Sequence, residues 1–398
     1  MTPGPQVIIV GAGILGLASA YHLLQSQAGL DLLVVERLAG PGRGDTARSA
    51  AAFRDMFSSP VNRHLSQGSI AFYERIEKET GAIGLKKIGY LWLVTAKQLA
   101  RRREVLAAMA QAGVKFQYLE AQELSARLPD LVIRDLSRGI LGLNCGILEP
   151  LRLIGFYEQE VLNLGGRFKY RQEVTGFSRN GRGRINGVRI GEEEIPAGTV
   201  IVATGAWTGL TLERAGLDVP MVPRKRQLFS VPAKERALGR LLATPGFTPH
   251  NLLPFTILPG GAYLRPAAAS FILGFANEDQ PPGLEEPVVA EREFYETRIR
   301  PQLEPYFPAF QGLAPTHSWA GHYDEHLADS TPFVARLAGA IVVGGSSGSG
   351  VMKGDSLGRI VAGLCGGQDE VELGHGRHFR VADLSLKQRA APVEEFVL

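Results

Sequence analysis

Val7-Ile-Ile-Val10-Gly11-Ala-Gly13-Ile14-Leu15-Gly16 decides the fold, and Leu32-Leu-Val-Val-Glu36 completes its reading. Four β-branched residues predict a buried strand, and three glycines follow in G-x-G-x-x-G spacing. Gly11 allows a tight turn, Gly13 lets the backbone approach a pyrophosphate, and Gly16 lets a helix pack close to the strand. Ile14 and Leu15 open that helix, whose free N–H groups and positive dipole end favour an anion. Glu36 ends the second apolar run, placed to accept hydrogen bonds from an adenosine ribose. The segment therefore predicts dinucleotide binding. Val7–Leu24 is also apolar over roughly the length that spans a bilayer. Three glycines, His22 and the lack of Lys or Arg before it argue against insertion, and no basic n-region marks a signal peptide. A cytoplasmic chain with no membrane span is expected.

A chain of 398 residues exceeds one ordinary core, so two domains are expected. Hydrophobic residues make up 45%, which excludes disorder, and a net charge of +3 is small for this size. Arg101–Arg103 and Arg224-Lys-Arg226 are the only basic clusters, the first expected on a solvent-facing helix, so no nucleic-acid partner is indicated. Cys145 and Cys365 are far apart and predict reduced, structural thiols. His322 and His326 have i, i+4 spacing without the H-E-x-x-H order, and no metal site is expected.

Along the chain, Leu15–Gln25 reads as a helix and Asp31–Glu36 as a second parallel strand. Gly40–Ser49 reads as a loop, and Ser59-Pro60 opens a helix that ends near Gly81. Gly89–Val94 predicts a strand, Thr95 caps a charged helix to about Ala112, and Val114–Leu119 is extended. Pro150–Leu164 predicts a helix, and Thr199–Ala203 another apolar strand. The proline-rich stretch Pro220–Pro315 carries short β runs that suit an antiparallel sheet. Ala340–Gly344 is a buried strand, Gly345–Gly350 a loop, Asp355–Leu364 a helix, and Glu370–Leu398 a tail packed on the body. The predicted fold is α/β: a Rossmann-like domain with an interleaved α+β substrate domain holding a large, mostly antiparallel sheet. Its expected segments are 1–85, 145–215 and 320–398 for the cofactor domain, with 86–144 and 216–319 for the substrate domain.

Four separated motifs then carry a resemblance. They are Gly11–Gly16 with Glu36-Arg37; Gly42-Arg-Gly-Asp-Thr46-Ala47-Arg48-Ser49-Ala-Ala51-Ala-Phe-Arg54; Val200-Ile-Val-Ala-Thr204-Gly205-Ala-Trp207-Thr208 followed by Pro223-Arg-Lys-Arg-Gln227; and Gly345-Ser-Ser-Gly348-Ser349-Gly350-Val351-Met352. In this order they resemble the FAD-dependent amine oxidoreductases of the D-amino-acid oxidase group, in particular sarcosine oxidase, glycine oxidase and dye-linked L-proline dehydrogenase. Tyr263-Leu-Arg265-Pro266 and Trp319-Ala-Gly-His322-Tyr-Asp324 are also similar to family segments.

The resemblance implies FAD, non-covalently bound because neither cysteine falls in a matching segment. Thr46, Ala47, Arg48, Ser49 and Ala51 would meet the diphosphate and flavin edge, and Val174 the adenine. Thr204, Gly205 and Trp207 would lie along the cofactor, with Gly348, Ser349, Gly350, Val351, Met352 and Lys353 at its pyrimidine end. The implied reaction removes hydride from the carbon beside a substrate nitrogen. Arg54 and then Arg265 are the candidate carboxylate anchors, with Tyr263 and His322 facing the substrate. The family's Gly-Gly is Ala51-Ala52 here and its histidine is Ser349. Ile272 stands where related oxidases carry a lysine that assists reaction with oxygen, which implies a dehydrogenase with another electron acceptor. A 2-hydroxy acid remains an alternative substrate. The second motif through Tyr73, with Ala320–Asp324, also resembles a mitochondrial FAD-binding protein linked to assembly of respiratory complex I. A scaffold role, an oligomer or a multi-subunit complex therefore stays open.

Overall fold

The computed structural model describes residues 4–386, except 129, 277, 278 and 375, together with 394 and 396. Val7–Val10 lies inside a six-stranded sheet ordered Phe333–Leu337, Ala340–Gly344, Thr199–Val202, Val7–Val10, Leu32–Glu36, Arg167–Tyr170. Neighbours are parallel except the first pair, which is antiparallel. Strands covered on both faces need continuous apolar runs, and Val7–Val10 is 0–5% exposed. The long apolar stretch breaks into this strand and the helix Ile14–Ser26 because Gly11 adopts φ +102° between them. Among the described residues, no helix is long and apolar enough to cross a membrane.

A second sheet has eight strands, ordered His317–His326, Met221–Pro232, Ser270–Gly274, Tyr263–Pro266, Phe255–Ile257, Tyr90–Thr95, Leu136–Gly142, Phe116–Glu120. Only Phe255–Ile257 and Tyr90–Thr95 pair in parallel. The chain thus crosses repeatedly between the sheets, and the strand His317–His326 straddles the boundary expected at 320.

Local signals set some element ends. The Ser59 side chain accepts the Asn62 N–H at 3.4 Å to start the helix Pro60–Thr80, which stops at Gly81 with φ +62°. Thr95 and Gln98 cap each other ahead of the helix Ala96–Gln111. Two segments depart from expectation. The predicted loop Gly40–Ser49 contains a short helix, Asp45–Arg48. The last helix spans Gly350–Cys365, starting before Asp355, although Gly350, Gly354 and Gly358 disfavour helix intrinsically.

Packing explains those glycines. A Cβ at Gly358 would lie 2.5 Å from the Ala18 carbonyl carbon, and one at Gly354 2.5 Å from the Ile14 side chain. The two helices therefore lie backbone to side chain, with their N-termini together at the carboxyl edge of the parallel sheet. Asp355, fully buried, ties them further. Its carboxylate accepts His22 Nε2 at 2.6 Å, Tyr157 Oη at 3.0 Å and Arg359 Nε at 2.9 Å. Burial pushes this carboxyl up, but the His22 and Arg359 charges and hydrogen bonds outweigh it and hold it below the ordinary range.

A depressed carboxyl stabilises the fold above its unfolded pKa near 4 and loses that contribution as pH falls through its folded pKa. Asp355→Ala, which leaves buried partners unpaired, should cost about 3 kcal/mol in denaturant unfolding and should flatten the acid limb of the stability profile. Ala51 sits at φ +52°, a left-handed conformation costing a side chain about 1 kcal/mol. Ala51→Gly should therefore raise the unfolding midpoint, measurable by calorimetry.

Candidate functional site

The two helix N-termini open onto a cavity of about 430 Å³, walled by both sheets. From the parallel-sheet side come Gly11, Gly13, Ile14, Leu15, Glu36, Arg37, Thr204, Gly205 and Trp207. Thr46, Arg48, Ser49, Ala51 and Val174 add to this wall, as do Gly348, Gly350, Val351 and Met352. From the antiparallel sheet come Tyr90, Arg226, Leu228, Tyr263, His322 and Tyr323. Segments far apart in sequence thus converge on one space.

Two glycines of the first motif are required by close packing. A Cβ on Gly11 would lie 2.5 Å from the Ala203 oxygen, and one on Gly16 only 1.9 Å from the Gly11 oxygen. Gly16 does not line the cavity; it seats the helix. Neither long helix at the cavity has an acidic residue in its first turn, so both dipole ends are free to meet an anion. The Ile14 N–H donates to Thr46 Oγ1 at 3.3 Å, which brings the second motif onto the first helix end. The Glu36 carboxylate is pinned by the N–H groups of Ala12 and Leu38, both at 2.8 Å.

Arg37 pairs with Glu286 at 2.7 Å and lies 4.5 Å over the Trp207 ring, whose Nε1 donates to Glu286 at 3.3 Å. The Val174 carbonyl accepts from Arg214. Asp45 Oδ1 accepts the His322 N–H at 2.8 Å, and burial raises the Asp45 carboxyl to about 6 despite that bond. Burial lowers the His322 imidazole below its usual value. Gly348, at φ +79°, leaves room for the Tyr323 ring, which a Cβ would meet at 2.2 Å.

Ala47, Ser349, Lys353, Arg54 and Arg265 do not line the cavity. Ser349 Oγ donates to the Ser346 carbonyl and receives Lys353 Nζ at 2.6 Å, while Lys353 also donates to Asn62 Oδ1 at 2.8 Å. Burial, helped by the Arg54 charge, lowers the Lys353 ammonium to about 7. Arg54 is 5% exposed, stacked 3.9 Å over Phe57, and donates to the Met56 carbonyl. Its Nε is buried without a partner, and among the described residues it makes no ion pair. Arg265 is lowered to about 10 by burial, and its Nε is likewise unpartnered. Among the described residues, no group of three or more histidine, cysteine or acidic side chains that could hold a metal ion is present.

Sequence reasoning did not single out Tyr90 or Arg226, whereas Tyr323 lies in the segment Trp319–Asp324 that the resemblance had marked. Alternation along Met221–Pro232 holds the missing signal: Arg226 and Leu228 face the cavity, while Lys225 and Gln227 face Glu291 on the other side. Arg226 stacks 4.8 Å over Tyr323, and its Nε is buried without a partner.

FAD fits this wall: two unopposed helix N-termini for its diphosphate, a pinned carboxylate for its ribose, and close backbone approach at Gly11 and Gly13. Comparison with known proteins agrees. The profile of the DAO family, described as FAD dependent oxidoreductase, matches residues 6–364. FAD-dependent oxidoreductase domain-containing protein 1 of Xenopus laevis is 27% identical over 410 residues, covering 90% of this chain and 78% of that protein. Monomeric sarcosine oxidase of Bacillus sp. (strain B-0618) is 24% identical over 377 residues, covering 90% and 91%. In fold, L-proline dehydrogenase from P. horikoshii superposes with a TM-score of 0.83 at 22% identity, covering 97% of this chain and 98% of that one. Glycine oxidase from Geobacillus kaustophilus superposes with a TM-score of 0.79 at 19% identity, covering 98% and 100%. With the profile spanning nine-tenths of its length, this chain belongs to the DAO family of FAD-dependent oxidoreductases.

Proposed function

We propose that this enzyme oxidises the C–N bond of a small amino acid or N-substituted amino acid, as a dehydrogenase. Bound FAD supplies the two-electron acceptor. The observation that carries the substrate class is Arg54: a buried guanidinium with an orphaned Nε and, among the described residues, no carboxylate partner at hydrogen-bonding distance. Such a group is costly to bury unless something anionic meets it. A substrate carboxylate satisfies it with a bidentate contact. Arg226, in the cavity wall, and Arg265, beside Tyr90 and Tyr263, add positive potential to the same region.

Tyr90, Tyr263 and Tyr323 shape the substrate side. Burial raises all three phenols above their ordinary value, so they stay protonated and act as donors and walls, not as bases. We assign His322 a positioning role, because its backbone N–H holds Asp45 and its ring packs edge-on to Trp207 at 5.8 Å. FAD is held without a covalent bond in this reading. Neither cysteine lines the cavity, and His322 Nε2 accepts the Glu285 N–H at 3.1 Å. Ile272, buried on the strand Ser270–Gly274, supports a dehydrogenase passing electrons to an acceptor other than oxygen. The two sheets support the proposed division into a cofactor domain and a substrate domain.

Anaerobic mixing of the holoenzyme with a panel of amino acids and N-methyl amino acids should bleach the flavin absorbance, and an artificial dye should restore it faster than oxygen does. Bleaching only by 2-hydroxy acids would replace this reading with hydroxy-acid oxidation. No bleaching by either set, with FAD retained, would favour a scaffold. Arg54→Met should raise KM for the best amino acid about 100-fold in steady-state assays while leaving FAD content unchanged.

A further inference from the structure

We propose that Glu394 and Phe396 form an intramolecular plug over the carboxylate subsite at Arg54, so that a ligand carboxylate binds in competition with this chain's own side chain. The inference rests on the reading of Arg54 as the carboxylate anchor. Its basis is where these two residues sit.

The Glu394 carboxylate accepts the Ser58 N–H, at 2.9 Å and 3.1 Å to its two oxygens, and the Ser58 hydroxyl at 3.0 Å. Ser58 adjoins Phe57, and the Phe57 ring carries two cations: the Arg54 guanidinium at 3.9 Å and the Lys353 ammonium at 4.6 Å. A third cation, Arg63, donates to the Phe57 and Ser58 carbonyls at 2.8 Å and 2.9 Å. All three are buried, and none forms an ion pair among the described residues. Burial pulls each of them down, and the Glu394 charge heads the carboxylates that push them back up.

Phe396 anchors the arrangement. It is 0% exposed, its ring stands perpendicular to Trp92 at 5.2 Å, and Arg102 lies 5.3 Å over it. Trp92 is also the second aromatic ring near the Arg54 guanidinium, at 6.0 Å. Arg54 is thus boxed by Phe57 and Trp92, and Glu394 and Phe396 are seated on the neighbours that form the box.

The bonding of Glu394 makes it displaceable. Its side-chain hydrogen bonds at this site run to neutral Ser58 donors, not to the guanidinium. A free carboxylate bound bidentately to Arg54 gains the stronger, charge-assisted contact. Displacement therefore exchanges weak bonds for strong ones, while the burial of Phe396 sets the resistance to it.

The test titrates benzoate, as a carboxylate probe, into the FAD-loaded full chain and follows the flavin absorption band. Glu394→Gln, Phe396→Ala and a form ending at Leu386 should each bind benzoate about tenfold more tightly than the unaltered chain. Arg54→Met introduced into each should remove the gain. A gain confined to Glu394→Gln, as a mere change of charge would give, overturns the plug. So does unchanged or weaker binding in all three while Arg54→Met still weakens it. Benzoate binding indifferent to Arg54→Met in every form overturns the anchor reading and the plug with it. If the shortened form fails to fold, the two point variants decide. By linkage, saturating benzoate should also speed carboxypeptidase digestion of the unaltered chain, and an unchanged rate counts against the plug.

Discussion

The close seating of the helix Gly350–Cys365 against the helix Ile14–Ser26 is the constraint on which the site depends. Gly358 and Gly354 permit it, since any side chain there would strike Ala18 or Ile14. Two N-termini brought together at one sheet edge concentrate positive potential where an anionic cofactor is needed. Asp355 holds that geometry from beneath through His22, Tyr157 and Arg359, without pointing a charge into the cavity. The glycines that weaken the last helix on its own are thus the ones that make it useful.

Charge is distributed unevenly around this platform. Acidic groups near the cavity are tied down: Glu36 by backbone N–H groups, Asp45 by His322, Asp324 by Ser346 at 2.5 Å. Buried cations, by contrast, are left with spare donors, as the orphaned Nε atoms of Arg54, Arg226 and Arg265 show. Unpaired guanidinium donors in and beside the cavity dispose this region toward negatively charged ligands.

Sequence alone revealed the cofactor half of the molecule well, because its signals are local. Strand, glycine turn, helix and acid at Val7–Glu36 each impose a steric or dipolar requirement that residue identity expresses directly. The caps Ser59 and Thr95 were readable for the same reason. The start of the last helix is less legible, because glycine propensity points away from helix at Gly350 and Gly354 while the tertiary contact that overrides it involves residues more than 300 positions away. Arg226 escaped notice because only the pairing of Met221–Pro232 with its neighbours says which of two alternating faces meets the cavity. Arg54 was visible as a residue type, but its enclosure by Phe57 and Trp92 is a product of the three-dimensional assembly.

The order of strands carries a consequence for biosynthesis. The parallel sheet takes neighbours from residues 7–10, 199–202 and 340–344, so Thr199–Val202 waits for Ala340–Gly344 before both its sides are paired. During vectorial translation the nascent chain carries this largely apolar strand with one edge unpaired until residues 340–344 have left the ribosome.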